Sequence, residues 1–132
     1  ADTIYGENGA DWIEMIFDNA DRAWGDDFGG TIDISDTFEI DAEALRGPNA
    51  LIGTNTANTT PAAIEDFNPT TTGTGDALTI YIDQSAYTST GWLGFEANGD
   101  RTDVEFDGII VVQLVGVTVA EAQSADITVD LI

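Results

Sequence analysis

The chain has 132 residues, 42% of them hydrophobic, which suits one domain with a single modest core and argues against disorder. Its 25 acidic residues face only three basic ones, Arg22, Arg46 and Arg101, giving a net charge of −22 with no Lys and no His. Nucleic acid and membrane insertion are therefore not expected: the electrostatic attraction that drives binding to nucleic acid or to anionic lipid is reversed in sign, and no apolar run exceeds strand length, the longest being Ile109 to Val112.

So much like charge on a small body is self-repulsive unless salt or bound divalent cations screen it. This places the protein in seawater, brine or a calcium-rich extracellular space. There is no Cys, so no disulfide can support the core, and bound metal is the natural substitute. The sequence starts at Ala1 without a basic, apolar leader, and is read as processed, a fragment, or exported without an N-terminal signal.

In chain order, residues 1–35 are rich in Gly and Asp. Residues 12–17 within them, Trp-Ile-Glu-Met-Ile-Phe, are too few for periodicity to separate a short helix from a buried strand. Ile32 and Ile34, then Phe38 and Ile40, alternate with polar residues as one strand or a strand pair. Asp41 to Arg46 is read as a single helical turn stopped by Gly47-Pro48. The Thr-, Asn-, Gly- and Pro-rich stretch 53–75 is read as a long loop, or as edge strands with loops.

The second half is strongly β. Leu78, Ile80 and Ile82 alternate with Thr79, Tyr81 and Asp83. Trp92, Leu93 and Phe95 follow a Ser/Thr-rich turn, and Asn98-Gly99-Asp100 is a hairpin signal, after which Val104 and Phe106 resume the alternation. Asp107-Gly108 is another turn, and Ile109 to Val115 is apolar enough to be a central strand. Val117 and Val119 suggest one more strand, and Ile127, Val129 and Leu131 another. The expected fold is all-β: a β-sandwich or β-roll over 36–132, with residues 1–35 packed against it in one compact domain.

One motif stands out. Gly6-Glu7-Asn8-Gly9-Ala10-Asp11-Trp12-Ile13-Glu14 fits G-G-x-G-x-D-x-U-x everywhere except at Glu7. Ala1 to Tyr5 supply the last five positions of a preceding unit. In such a turn Gly permits unusual backbone angles, its carbonyls turn inward, and Asp adds a hard charged oxygen for Ca²⁺.

This motif resembles the glycine/aspartate nonapeptide repeats of RTX-type calcium-binding proteins. The likeness covers about 14 residues. The other end is similar to the termini of that family: Gly116 to Ile127 joins an apolar strand, an Ala/Ser/Asp-rich turn and a further strand. Asp130-Leu131-Ile132 is similar to an uncleaved type I secretion signal. The resemblance implies a parallel β-roll with Ca²⁺ in its turns, sites joining residues about 18 apart, and an extracellular or cell-surface bacterial location. At that spacing Asp2 meets Ala20 and Asp11 meets Gly29, so neither finds an acidic partner in register. Gly25-Asp26-Asp27-Phe28-Gly29-Gly30 is a degenerate candidate for the missing turn.

The expected Ca²⁺ ligands are Asp2, Gly6, Asn8, Gly9 and Asp11 of the motif, Asp26 and Asp27, and Asn98, Asp100 and Asp103 around the hairpin. Asp18, Asn19 and Asp21 with Asp26 and Asp27 form a further acidic group in one loop, and for any one such cluster a solvated acidic face is a more common reading than a metal site. Without His, Cys or Lys the usual general bases, thiolates and phosphate-binding lysines are missing, and the chain is read as non-enzymatic. Three functions are weighed. The first is a secreted structural protein that self-assembles into a fibre, surface layer or matrix. The second is the non-catalytic C-terminal secretion and folding domain of a larger RTX hydrolase or adhesin. The third is a module binding surface glycans through Trp92, Tyr87 or Tyr81.

Overall fold

Alternation of apolar and polar side chains organises the chain into strands that meet over a common core. The computed structural model describes residues 1–25, 35–42, 58–70, 75–82, 93–106 and 108–131. Within them lie β1 (Thr3–Tyr5), β2 (Trp12–Ile16), β3 (Arg22–Trp24), β4 (Thr37–Asp41), β5 (Ala62–Ile64) and β6 (Ala77–Ile82). Then follow β7 (Leu93–Asn98), β8 (Arg101–Phe106), β9 (Ile109–Val115), α1 (Val119–Ser124) and β10 (Asp126–Leu131). The class is all-β, with two sheets and one short helix among the described residues.

One sheet has the order β1-β3-β5-β9-β8-β7 and the other β10-β6-β4-β2. The chain passes from one to the other and back: β1, β3, β5 and β9 run parallel in the first sheet, β2, β4, β6 and β10 in the second. Among the described strands only the β7–β8–β9 meander is antiparallel. Strands on both sides of residue 35 thus share the same two sheets.

Rows of like side chains fix the register. Ile13, Phe38, Leu78 and Ile127 are successive partners across the second sheet, as are Met15, Ile40, Ile80 and Val129. Ile4, Ala23, Ile64 and Leu114 form the facing row. Phe38, Ile40, Leu78, Ile80, Ile64 and Leu114 are wholly buried. A one-residue slip would turn a whole row outward, so each row resists displacement. Burial of each large side chain contributes about 1.5–3 kcal/mol.

Of the two alternatives open for residues 12–17, the strand is the one formed over 12–16, because Ile13 and Met15 face the core while Trp12, Glu14 and Ile16 face out. Other expectations are corrected. The stretch read as loop or edge contains β5, an interior strand buried at all three positions between β3 and β9. The proposed strand at Val117 and Val119 is instead the end of one turn and the start of α1. Thr118 and Glu121 make a reciprocal capping box there, and Ala122 packs into the core. Most of the helical turn proposed for 41–46 and the Ile32–Ile34 segment lie outside the described residues, but Asp41 itself ends β4. No described helix is long and apolar enough to cross a membrane.

Candidate metal centre

Each strand of the second sheet up to β6 is preceded by an aspartate: Asp11 before β2, Asp36 before β4 and Asp76 before β6. Parallel register stacks them. Thr37 N–H donates to the Asp11 carbonyl at 2.8 Å and Ala77 N–H to the Asp36 carbonyl at 3.0 Å, which carries the ladder through these residues. The side chains add a second set of bonds. Asp11 N–H donates to Asp36 Oδ1 at 2.8 Å, and Asp36 N–H donates to Asp76 Oδ1 at 2.8 Å. Asp76 Oδ2 accepts from Asn68 N–H at 2.8 Å. The carboxylates of Asp36 and Asp76 therefore each hold a backbone donor of the preceding circuit through charge-assisted hydrogen bonds.

Across the turn, Gly6 and Gly25 stack in the same way. Gly6 N–H donates to the Trp24 carbonyl at 2.8 Å and Gly25 N–H to Asp66 Oδ1 at 2.8 Å. Neither has room for a side chain. A Cβ on Gly6 would collide with the Gly25 carbonyl oxygen and lie 2.7 Å from Asp11 Oδ2, and one on Gly25 would collide with Asp36 Oδ2. Gly6 is thus required for space. The left-handed backbone of this turn belongs to Glu7 (φ 72°) and Gly9 (φ 118°). Glu7, the one departure from the nonapeptide pattern, adopts the conformation that the pattern's glycine would reach without strain.

Asp11 Oδ2 is buried and has no hydrogen-bond partner among the described residues. It and the Gly25 carbonyl oxygen both border the space that a side chain at Gly6 would fill. A charged carboxylate oxygen and a peptide carbonyl are hard donors of the type calcium takes, with no soft ligand near. Among the described residues no three acidic side chains converge to hold an ion by themselves, so a site here draws on backbone oxygens too. The donor set fits calcium.

No protein-family model, curated protein or solved structure matches the chain. The geometry stands alone.

The opposite edge is built from Asp2 and Asp21. Asp2 N–H donates to Asp21 Oδ1 at 2.8 Å, Asn19 Nδ2 donates to the same oxygen at 3.0 Å, and Asp21 is buried. Asn58, also buried, donates to the Phe17 and Ile110 carbonyls at 2.9 and 2.8 Å and ties the two ends of this edge together. Both motif aspartates therefore have acidic stacking neighbours, contrary to the count by 18. Asp2 meets Asp21 because the turn holds one further residue, with Ala20 at φ 54°. Asp11 meets Asp36 because the intervening connection is longer, their separation being 25 residues.

The remaining expected ligands are dispersed. Asn8 is exposed and Gly9 half-buried in the first turn, and Asp26 and Asp27 lie outside the described residues. Asn98, Asp100 and Asp103 belong to the β7–β8 hairpin. There Asp103 accepts from Asn98 Nδ2 at 3.1 Å and Gln113 Nε2 at 2.8 Å, and Asp100 pairs with Arg101 at 3.3 Å. That network is satisfied by amides and is separate from the aspartate ladder. Of the aromatic residues weighed for glycans, Trp92 and Tyr87 lie outside the described residues, and the Tyr81 hydroxyl donates to Glu39 at 2.7 Å.

Asp36, Asp76 and Asp66 were missed by motif reading, whereas Gly25 opens the degenerate candidate turn. A signal existed: Asp-Trp-Ile-Glu-Met, Asp-Thr-Phe-Glu-Ile and Asp-Ala-Leu-Thr-Ile share an aspartate followed by out-in-out-in alternation.

Proposed function

We propose that this chain is a secreted, non-catalytic structural module of bacterial origin: a parallel β-roll stabilised by calcium along its Asp11–Asp36–Asp76 edge and self-associating through its first circuit. The observation that carries the reading is the buried Oδ2 of Asp11, with no described hydrogen-bond partner, bordering the same space as the Gly25 carbonyl oxygen in a stack of aspartates. Neighbouring strands lie about 4.8 Å apart, so the stack holds like charges at close range, and a divalent ion offsets that repulsion. Asp11 and the Gly25 carbonyl would hold the ion, with Asp36 beside them.

Self-association is favoured by the uneven exposure of the first circuit. Among the described strands, β1 and β2 each stand at one end of their sheet. The exposed apolar side chains here are Tyr5, Trp12 and Ile16, whereas Ile13 is buried and Ile4 packs against the core. Unpaired edges beside exposed apolar groups invite strand addition, and cations must first lower the charge between copies.

The second reading, a folding and secretion domain ending a larger RTX protein, draws on β10, which closes the parallel series by pairing with β6 along its whole length. Calorimetric titration of calcium into wild type and Asp11→Asn, with light scattering of both, tests the proposal. Calcium binding that weakens at least tenfold in the variant, with calcium-dependent growth in mass of the wild type, is expected. Identical isotherms would remove the calcium site, and a calcium-loaded monomer would leave only the second reading.

A further inference from the structure

The outer face of the four-stranded sheet carries a row with a different chemistry. Glu14 on β2 is the registered partner of Glu39 on β4, and Thr79 on β6 continues the row. The backbone thus brings two carboxyls to strand spacing, about 4.8 Å between chains. Glu39 is only 6% exposed, and the Tyr81 hydroxyl donates to its Oε1 at 2.7 Å. The Glu14 carboxyl lies within hydrogen-bonding reach of Glu39, so that one bond can join them. Ionised carboxylates only accept, so that bond exists only while one of the two carries a proton.

The surroundings favour keeping it. Asp41 on β4 adds negative charge near Glu14, and Asp130 on β10 does so near Tyr81. Asp2 and Asp21 line the same cleft, of about 320 Å³, and no basic side chain lines it among the described residues. A hydrogen bond donated by the Glu14 carboxyl to Glu39 and the charge that Glu39 carries, followed by burial and Asp41, hold the Glu14 carboxyl above the ordinary glutamate value of 4.5.

We propose that the Glu14–Glu39 pair is a proton-operated latch that fastens strand β2 to β4 independently of calcium. With one shared proton the two carboxyls bond across the strands. When the proton leaves, two like charges face each other at strand spacing, and β2 yields because, among the described strands, it has a neighbour on one side only. The sign follows from linkage. A carboxyl whose folded value lies above its unfolded value adds stability that is complete below the unfolded value and is lost as pH rises through the folded one. A calcium-linked opening runs the other way, since acid displaces calcium from carboxylates.

Hydrogen exchange of the intact chain at fixed saturating calcium and ionic strength, read by mass spectrometry and corrected for intrinsic rates, measures the latch on residues 12–17. Opening of β2 in wild type should increase by up to about tenfold per pH unit between the unfolded and the folded value of the Glu14 carboxyl, and level off above it. Glu14→Gln, whose amide donates without a proton, should stay protected with a flat profile, and Glu39→Gln should flatten the profile as well. A wild-type profile that is flat, or that falls with rising pH, would overturn the latch. So would full wild-type pH dependence in either variant.

Discussion

Asp36 Oδ1 accepts the backbone N–H of Asp11 at 2.8 Å across 25 residues of chain, and Asp36 in turn donates its own N–H to Asp76 Oδ1. One residue therefore joins three successive circuits. Asp36 is 1% exposed, so removing its carboxylate leaves a backbone donor without its acceptor in a site shielded from water. Asp36→Ala should cost about 2–3 kcal/mol in urea denaturation, and Asp36→Asn, which keeps an acceptor, clearly less. Equal losses would mean that charge, and not the hydrogen bond, holds the ladder.

The first turn gives a prediction of opposite signs at neighbouring residues. Glu7 stands at φ 72°, a left-handed conformation that costs a side-chain-bearing residue about 1–2 kcal/mol. Glu7→Gly should therefore stabilise the fold by about 1 kcal/mol, after the extra entropy of glycine in the unfolded chain is offset. Gly6→Ala should destabilise it and weaken calcium binding, because its Cβ would occupy the space between the Gly25 carbonyl and Asp11 Oδ2. Thermal melts and calcium titrations of the two variants check both signs.

Calcium should raise the melting temperature beyond any effect of ionic strength. At a hundredfold excess over the dissociation constant the gain is about 2.7 kcal/mol. Melts in calcium against chelator, with NaCl matched, measure it in wild type, Asp11→Asn and Asp103→Asn. The calcium increment should shrink in the first variant and persist in the second, since Asp103 already accepts from Asn98 and Gln113. Equal melting temperatures with and without calcium in wild type would reduce the acidic surface to a salt adaptation.

The hairpin has its own pH dependence. Burial, then the charges of Glu96 and Asp103, raise the Glu105 carboxyl above its ordinary value of 4.5. Its folded value is thus the higher one, and the stability it lends is present at acid pH and lost as pH rises through that value. Glu105→Gln should be more stable than wild type at pH 7 and converge on it toward pH 4, as equilibrium denaturation across that range would reveal.

Much of the fold was legible because its signals are local. Leu78, Ile80 and Ile82 face inward as their alternation requires, Gly99-Asp100 of the Asn98-Gly99-Asp100 signal makes the β7–β8 turn, and the apolar run 109–115 is the interior strand β9. The failures were cases where neighbours decide. Ala62-Ala63-Ile64 has little strand character of its own and becomes one by insertion between β3 and β9. Val119 was read for its β-propensity, although Thr118 and Glu121, three residues apart, already spelled a helix start.

The sequence by itself determined the excess of carboxylates, the period-two strands and the nonapeptide turn with Asp11 at its end, because composition, alternation and turn chemistry reside within a few adjacent residues. It did not determine which aspartates meet. Asp11 finds Asp36 at a separation of 25 residues and Asp36 finds Asp76 at 40, so no fixed repeat length identifies the pairs. Only the tertiary structure decided them. The apolar rows set the register of the strands, and the connections absorb residues of any number at the edge without disturbing it. Partners at the site are thus chosen by packing in the core.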